Sequence, residues 1–345
     1  YADYLQTQGV APSHIIKIDL ENITNDHLRE PLTLIKYINQ QITDSKEYYV
    51  LIDEVQHLQR FEDALNTLLK NSQLDVYVTG SNARFLSKDV VTTFRGRGDE
   101  VRVHPLSFVE YLSVQQPLPF AEQHLNEYMR LGGLPQLVVM NSEQQKRQYL
   151  SQLFANTYLV DIKERYAIRN DDDLEELIDV IASSIGSLTN PTKIANSFAS
   201  VKQSQLSKDT IKRYLDYMQD AFMIEKAVRY DIKGRKYIDT PAKYYFEDLG
   251  LRNARINFRQ TEPTHLMENL IYNELRVKGY SIDVGQVVAN TRNANGVSER
   301  KQLEVDFVCN KADERIYIQS AYAMPTLEKQ EQELKSLKLI NDNFQ

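Results

Sequence analysis

The feature that most constrains the fold is a short run of apolar, β-favouring residues at 48–52, Tyr-Tyr-Val-Leu-Ile. A run without polar alternation predicts a strand buried on both faces, which is typical of a parallel sheet covered by helices. A second such run lies at 76–79 after a helical pattern over 61–71, and a strand pattern at 14–20 precedes a helical pattern over 31–43. Strands that alternate with helices predict an α/β unit in the first hundred residues.

Downstream of residue 105 the patterns change. A helical periodicity covers 106–170 with a break at Gly132-Gly133-Leu134-Pro135, and three further helical segments lie within 171–222. Two alternating runs, 227–237 and 243–246, predict a hairpin with a basic turn. The remainder predicts a polar loop at 289–301, helices over 265–278 and 326–340, and strands near 303–308 and 315–322.

Composition excludes several classes of protein. With one cysteine, Cys309, and six scattered histidines, the chain can form neither a disulfide scaffold nor a cysteine-based zinc site, so we expect a reducing, cytoplasmic location. We find no transmembrane run and no signal-peptide core, and therefore predict no membrane partner. The formal charge of −7 argues against a surface coated with cations, although it leaves room for a local basic patch.

Two acidic residues, Asp53 and Glu54, directly follow the apolar run. Open α/β sheets bind their ligands at the carboxyl ends of their strands, so a catalytic pair is expected there. In nucleotide-hydrolysing ATPases the first acid of such a pair holds Mg²⁺, and the second orients or deprotonates the attacking water. The alternative is that both acids are solvent-exposed residues at the end of a strand and have no catalytic role.

The next predicted strand favours the catalytic interpretation. It ends in Gly80-Ser81-Asn82, and the amide can sense a γ-phosphate or position water if the two strands are neighbours. Further along, Arg95-Gly96-Arg97-Gly98 is glycine-rich and cationic, which suits an arginine finger. A solvated basic loop is the alternative for this segment.

Four segments, in this order and spacing, carry a family resemblance: LIDEVQ, VTGSNARFL, FRGRGDEVRVHPLSFVEYL and LGGLP. They resemble the bacterial and archaeal family of AAA-type P-loop ATPases that carry a C-terminal domain of formerly unknown function. The resemblance implies that Asp53 coordinates Mg²⁺ and that Glu54, after the Walker B strand, is the catalytic acid. It also implies that Ser81 and Asn82 stand at the sensor position. Arg97 would act in trans as the arginine finger, which makes a homo-oligomer the expected assembly.

The chain departs from this family at its start. Family members carry a Walker A loop, G-x-x-x-x-G-K-[ST], just before the helix that here begins at Tyr1, and the 345 residues contain no such loop. That loop supplies the backbone N–H groups and the lysine that hold the β and γ phosphates. We therefore expect the full-length protein to bind ATP and Mg²⁺ and to hydrolyse ATP, and this chain to do so poorly or not at all. We also expect the family's sequence to continue beyond residue 343.

A basic segment lies between the two α/β stretches. Residues 191–240 contain ten Lys or Arg and six Asp or Glu, a balance of +4 in a chain of net charge −7. The second of two predicted helices covers 208–220, with Ser207 as its cap and Ile211, Tyr214, Leu215 and Met218 on one apolar face. The two helices and the following hairpin describe a winged helix-turn-helix. Binding to a protein partner is the alternative to binding double-stranded DNA. The candidate DNA contacts are Lys208, Lys212, Arg213, Lys233, Arg235 and Lys236.

The last ninety residues resemble the restriction-endonuclease-like core found in the same family. Glu268 on a helix and Asp306 on a strand match two of its acids. The resemblance implies that active members hold Mg²⁺ with the strand Asp and a second acid, and use a Lys two residues beyond that acid. Here Gln319 stands at the second acid and Ala321 at the lysine. We therefore predict a nuclease-like fold whose site, at Glu268, Asp306 and Gln319, is degenerate.

The predicted fold class is α/β. It comprises a P-loop NTPase (AAA-type) parallel-sheet core at 1–105, a helical lid at 106–170, a winged helix-turn-helix at 171–256 and a restriction-endonuclease-like α/β domain at 257–345. The predicted function is an ATPase that couples its nucleotide state to the C-terminal modules. Two alternatives stay open: a non-enzymatic scaffold that binds DNA or protein, and a Mg²⁺-dependent nuclease that takes an acid or lysine from elsewhere, such as Lys301.

Overall fold

The computed structural model describes residues 1–80, 98–114, 122–168, 171–202, 206–259, 262–292 and 298–340. The chain forms two compact units, Tyr1–Arg102 and Val103–Gln345. Each unit combines helices with a β-sheet, and the sheet of the first unit is parallel, so the predicted α/β class is confirmed. Within the described ranges, no helix has both the length and the apolar character needed to cross a membrane.

The first unit is built around a three-stranded sheet in the order β1-β2-β3. Its helices and strands are α1 (Ala2–Thr7), β1 (Ile15–Asp19), α2 (Pro31–Gln41), β2 (Tyr48–Asp53), α3 (Phe61–Leu68) and β3 (Leu74–Val78). Strand β2 is central: Asp53 lies opposite Asp19 of β1, and Ile52 lies opposite Val78 of β3. The strands that follow one another in sequence are therefore neighbours, as the catalytic interpretation of Asp53 requires.

Burial of the apolar run fixes the position of β2. Tyr48 and Val50 are fully enclosed and Ile52 is 1% exposed, in one core with Leu34 and Ile38 of α2. Removing each aliphatic side chain of this size from water contributes roughly 1.5–3 kcal/mol. The core therefore holds the central strand firmly and leaves its carboxyl end, with Asp53, at the edge of the sheet.

The second unit begins with helices and continues into a five-stranded sheet. A π-helical stretch, Phe154–Leu159, joins the helix Glu143–Leu153 to the helix Val160–Arg165. In chain order its elements are α4 (Phe108–Val114), α5 (Glu122–Leu131), α6 (Pro135–Val138), α7 (Glu143–Leu153), α8 (Val160–Arg165), α9 (Asp171–Ser183), α10 (Pro191–Lys202), α11 (Lys208–Asp220), β4 (Ile224–Asp231), β5 (Lys236–Phe246), α12 (Leu249–Arg255), α13 (Pro263–Val277), β6 (Ser281–Arg292), β7 (Ser298–Lys311), β8 (Glu314–Ile318) and α14 (Leu327–Leu334).

Helix α11 agrees with its prediction in both its ends and its buried face. The Ser207 hydroxyl accepts a hydrogen bond of 3.1 Å from the Thr210 backbone N–H, which satisfies one of the unpaired donors at the start of the helix. The predicted apolar stripe is buried, and it consists of Ile211, Tyr214, Leu215 and Met218. The cations of this helix, which lie outside the stripe, consequently face solvent.

The five strands have the order β5-β4-β6-β7-β8. Strands β4 and β5 form the predicted antiparallel hairpin, and β4 also pairs in parallel with β6 through Arg229–Asp231. The hairpin assigned to a winged helix therefore shares one sheet with the strands assigned to the nuclease-like core. Although β4 and β6 lie between β5 and β7 in this order, Lys243 of β5 reaches Glu304 and Asp306 of β7, which the sequence patterns alone did not predict.

One predicted loop and one predicted strand of the second unit are wrong in extent. The predicted polar loop is paired backbone at 289–292 and 298–301, because β6 runs to Arg292, β7 begins at Ser298, and Ala289 lies opposite Lys301. Residues 293–297 of the predicted loop lie outside the described part of the chain. Hydrogen bonds between antiparallel backbones do not require apolar side chains, so the polar composition concealed the pairing. The strand predicted at 315–322 is shorter, since β8 ends at Ile318, and Gln319 lies just beyond it.

Two glycine-containing segments far apart in sequence meet in the second unit. The Asp248 carboxylate caps α12 and also accepts a hydrogen bond of 2.8 Å from the Gly133 backbone N–H. A Cβ on Gly132 would lie 2.3 Å from this carboxylate, and one on Gly250 would lie 1.9 Å from the backbone oxygen at the end of α5. The LGGLP segment is therefore one half of a structural junction that leaves no room for larger residues.

Candidate functional site

The first candidate site lies at the carboxyl end of β2. Asp53 is the last residue of the strand and is exposed, and its carboxylate accepts a hydrogen bond from the Thr79 hydroxyl. Thr79 directly follows β3, so one side chain links the ends of two adjacent parallel strands. The predicted acid thus stands at the edge of the sheet where ligands of open α/β folds bind.

Glu54 leaves the strand in a left-handed backbone conformation, with φ of 53° and ψ of 53°. A non-glycine residue in this region is uncommon and signals a local constraint. The constraint here comes from three hydrogen bonds around Thr79: its Oγ1 accepts from the Glu54 N–H (3.1 Å), its carbonyl accepts from Val55 N–H (3.0 Å), and its own N–H donates to Ile52 O (2.9 Å). The Glu54 carboxylate also accepts a hydrogen bond from the Gln56 amide.

Three of the predicted site residues lie outside the described part of the chain. These are Ser81, Asn82 and Arg97. Their predicted roles at the sensor position and as an arginine finger stay predictions. Thr79, which sequence reasoning passed over, is the residue from the neighbouring strand that contacts Asp53.

The second candidate site is an open groove on the second unit. Its wall includes the first turns of α10 and α11, and it contains Lys193, Lys208 and Lys212 together with Asp209 and Thr240. The predicted contacts Lys208 and Lys212 are therefore brought together, and Lys193 joins them. Among the described residues that line the groove there is neither Arg213 nor any of the predicted hairpin cations, which are Lys233, Arg235 and Lys236. All four of these cations are exposed.

The third candidate site is a buried group of charges in which Lys243 of β5 lies among three carboxylates. Its ammonium nitrogen is 2.8 Å from Glu268 Oε1, 2.6 Å from Glu304 Oε1 and 3.8 Å from Asp306 Oδ1. The Lys243 side chain is 3% exposed, those of Glu268 and Asp306 are each 10% exposed, and that of Glu304 is 34% exposed. The predicted acids Glu268 and Asp306 do meet, and a lysine stands between them.

Burial and charge shift the titration of this group. Burial alone would lower the pKa of Lys243, but the negative charges of Glu268, Glu304 and Asp306 outweigh it and raise the pKa, so the lysine stays an ammonium. Burial, with the charge of Glu268 added, raises the pKa of Asp306 to about 7, although Lys243 and the Ser320 N–H act in the opposite direction. Near neutral pH, the Asp306 carboxyl group is therefore protonated in a fraction of the molecules, while Lys243 keeps its charge.

The remaining positions of the predicted nuclease-like site serve structural contacts. Gln319 Oε1 accepts a hydrogen bond of 3.2 Å from the Ser336 hydroxyl, and the next residue, Ser320, donates its backbone N–H to Asp306 Oδ2 at 2.7 Å. The suggested replacement lysine, Lys301, is exposed on β7 opposite Ala289, so its role as a replacement is not supported. The lysine that reaches Asp306 is Lys243.

Comparisons with known proteins agree with the geometry of the first unit. Residues 1–112 match the model of a family described as an AAA domain, and residues 122–262 match a domain of unknown function, DUF8612. An uncharacterised protein of Haemophilus influenzae is 34% identical over 348 residues, which cover 100% of this chain and 82% of that protein. The chain belongs to the same family as this protein.

The chain is also similar to an archaeal protein, and both relatives extend beyond the part that the chain covers. The uncharacterised protein MJ1544 of Methanocaldococcus jannaschii is 28% identical over 341 residues, which cover 94% of this chain and 72% of the archaeal protein. The family match shows an AAA-type domain in the first unit. Domains of this type bind nucleotides, typically together with Mg²⁺.

Sequence reasoning missed two residues that organise the sites of this family member. Thr79 could have been found, because a hydroxyl at the end of a strand adjacent to Asp53 was implied by the strand order that we expected. Lys243 gave a weaker signal: it is a charged residue in the run Ala242–Phe246, which is otherwise free of charge and is wholly buried. A lysine in such a run requires a partner, but nothing in the sequence says which acid provides it.

Proposed function

We propose that the full-length protein is an AAA-type ATPase and that the carboxyl end of β2 is its hydrolytic centre. The observation that carries this proposal is the position of Asp53 and Glu54 at the end of the central strand, beside Thr79, in a unit that matches an AAA domain. Asp53 is exposed and offers carboxylate oxygen, which Mg²⁺ prefers. The acids present therefore fit the Mg²⁺ of a nucleotide complex, and contacts to the phosphates would come from the predicted Walker A loop.

In this proposal each residue has a separate task. Asp53 would hold Mg²⁺, whose charge offsets that of the phosphates when it is bound. Glu54 would orient the attacking water and accept its proton, while Thr79 keeps the two acids in place. Ser81 and Asn82 would contact the γ-phosphate or water, and Arg97 of a second copy would offset the charge that develops on the transferred group.

ATP turnover tests this proposal. The protein should be extended upstream of Tyr1 to include the predicted Walker A loop and compared with the 345-residue chain. We expect turnover from the extended protein alone and its loss in Asp53→Asn. Asp63→Asn is the matched control, because Asp63 is an exposed acid of α3 that pairs with Arg60. Equal turnover in Asp53→Asn and wild type would contradict the assignment.

A second function, binding to the backbone of duplex DNA, is favoured by the groove on the second unit. Three lysines and the first turns of two helices line it, and helix N-termini and ammonium groups both attract phosphate. The +4 balance of residues 191–240 acts in the same direction. Asp209 in the same groove weakens this attraction, which makes salt dependence the informative measurement.

Binding of a fluorescent duplex at increasing salt tests this second function. Replacing Lys193, Lys208 and Lys212 by Gln should weaken binding and reduce the slope of log K against log salt by about 0.9 for each phosphate that the variant no longer neutralises. The control carries Lys278→Gln, Lys335→Gln and Lys338→Gln, which remove three exposed cations that neither line the groove nor belong to the predicted DNA contacts. An unchanged slope in the groove variant would show that the groove does not contact DNA. The scaffold alternative predicts DNA binding that ATP does not alter.

A further inference from the structure

The group around Lys243 is held rigidly by the packing of α13 against β5. The Asn269 side chain makes two hydrogen bonds of 2.8 Å to the backbone of Phe246, one to its N–H and one to its carbonyl. Asn273, one turn further on, donates to the same carbonyl at 3.0 Å. These bonds fix the helix to the end of β5, and they thereby fix Glu268 beside Lys243.

One oxygen of each buried acid already has a hydrogen-bond donor. Glu268 Oε1 accepts from the Tyr245 hydroxyl at 2.7 Å in addition to the lysine, and Asp306 Oδ2 accepts from the Ser320 N–H. The backbone at Gly186 approaches Glu268 so closely that a Cβ on this glycine would lie 3.1 Å from the carboxyl group. The group is therefore enclosed on the side of Glu268, and Glu304 is its more exposed member.

A divalent ion does not fit this arrangement together with the lysine. Carboxylate oxygens bind Mg²⁺ or Ca²⁺ at about 2.0–2.6 Å, and the ion would have to stand between the acids, where the ammonium lies 2.6 Å and 2.8 Å from two of them. Two cations at that separation repel strongly in a buried place. In the described part of the chain, no set of three or more His, Cys, Asp or Glu side chains is arranged to hold a metal, so these acids would have to draw together around an ion in a variant that lacks the lysine.

We propose that the Lys243 ammonium is the resident cation of this site and replaces the divalent ion that the nuclease-like arrangement of acids would otherwise bind. One positive charge neutralises one of the three carboxylates, and Glu304 keeps contact with water. The site is thus satisfied from within the chain, and the second unit folds without a metal. Removing the ammonium leaves three acids facing one another, which converts the site into one that binds a divalent cation.

Mn²⁺ is the probe for the test, because its free form is measured directly by electron paramagnetic resonance. All variants carry Asp53→Asn, so that the first unit contributes no binding. We expect no Mn²⁺ binding to the protein with Lys243 intact, and the same melting temperature in Mn²⁺ and in EDTA. Lys243→Ala should bind one Mn²⁺ per chain and melt several degrees lower in EDTA than in Mn²⁺. Adding Asp306→Asn should remove both responses.

The matched control is Lys226→Ala, because Lys226 of β4 pairs with Asp239, an exposed acid of the same hairpin. This variant should neither bind Mn²⁺ nor respond to EDTA. If Lys243→Ala does not fold, Lys243→Ala with Glu268→Gln removes one of the facing charges, and it should fold with a weaker Mn²⁺ response.

Three results would overturn the proposal. The first is a folded Lys243→Ala, alone or with Glu268→Gln, that does not respond to Mn²⁺. The second is Mn²⁺ binding by the protein with Lys243 intact that disappears with Asp306→Asn, since the lysine would then accompany a metal instead of replacing it. The third is Mg²⁺-dependent nicking of a plasmid that is lost in Asp306→Ala. If neither Lys243 variant folds in EDTA or in Mn²⁺, the predicted rescue by metal has failed.

Discussion

Two groups of acids in this molecule begin from similar sequence patterns and end in different surroundings. At the end of β2, Asp53 is exposed and contacts a neutral hydroxyl. In the second unit, Glu268 and Asp306 are buried around an ammonium. In sequence, both look like pairs of metal-binding acids associated with a strand. The difference is that the first pair can be reached by a ligand from solvent, whereas the second has its counter-ion in the chain.

Accessibility and charge balance therefore separate the proposed hydrolytic site from the buried group around Lys243. A buried acid with an internal cation gains little from binding a further ligand, and losing its partner leaves an uncompensated charge in a place without water. An exposed acid contributes little to stability and is available to a substrate. Substitutions at the two groups of acids should therefore have opposite effects on turnover and on stability.

The largest expected effect is on turnover. In the extended protein, Glu54→Gln should lower ATP turnover by on the order of 10²–10⁴-fold, because an amide cannot accept the proton from water. Glu268→Gln should leave turnover within about twofold. A steady-state ATPase assay at saturating ATP measures both. A comparable loss in the two variants would contradict the division between the sites.

Stability should respond in the reverse order. Lys243→Met should lower the free energy of unfolding of the second unit by about 3–5 kcal/mol, because it leaves buried carboxylates without their cation. Asp53→Asn should change the free energy of unfolding of the first unit by no more than about 0.5 kcal/mol. Urea unfolding, followed by circular dichroism, gives both values. A loss below about 1 kcal/mol in Lys243→Met would mean that water reaches the group freely.

A buried acid held by backbone N–H groups should make stability depend on pH. Burial raises the pKa of Asp248 to about 6, although hydrogen bonds from the backbone of Gly133 and Leu251 oppose the shift. The pKa of an unfolded Asp is about 3.9, so this contribution is fully present below about pH 4 and is lost as the pH rises through 6. The difference corresponds to roughly 3 kcal/mol.

Urea unfolding between pH 4 and pH 7.5 checks this dependence. Asp248→Asn should be less stable at low pH and should lose the part of the slope between pH 4 and 6 that comes from Asp248. Asp209→Asn, an exposed acid of α11, is the control and should keep the slope of the wild type. An unaltered slope in Asp248→Asn would show that this carboxyl group is ionised throughout the range.

The smallest expected effect concerns Thr79. Thr79→Val keeps the shape of the side chain but removes its hydrogen bonds with Asp53 and Glu54, which should cost about 1 kcal/mol in the unfolding of the first unit. Thr67→Val is the control, since its hydroxyl donates to the Asp63 carbonyl on an exposed helix. If turnover in the extended protein also falls, Thr79 positions the acids as well as stabilising the strand end.

The parts of the structure that the sequence predicted well rest on local patterns. The buried run of β2, the adjacency of β3, and the cap and apolar face of α11 all follow from periodicity and from the residues next to them. The place of Asp53 follows from these features, because the last residue of a buried parallel strand lies at the carboxyl edge of the sheet.

The place of Lys243 could not be predicted in the same way. It depends on the pairing of β4 with β6, which joins the hairpin to the sheet of the acids, and on the contact of Asn269 with Phe246. Both are interactions between distant segments, and the hydrophobic pattern does not encode them. The position of Lys301 could not be predicted for a related reason, because it depends on the register of β6 and β7, which places that residue opposite Ala289.

The junction at Asp248 has a consequence for the order in which the second unit forms during synthesis. Its bond to the Gly133 N–H closes a separation of 115 residues in the chain. Closing a loop of that size is entropically costly, and the cost is recovered only when the contact itself is made. The turn between α5 and α6 therefore obtains its hydrogen-bond acceptor only after Asp248 has left the ribosome. We therefore expect this junction to close late in synthesis, after the C-terminal half of the second unit has begun to emerge.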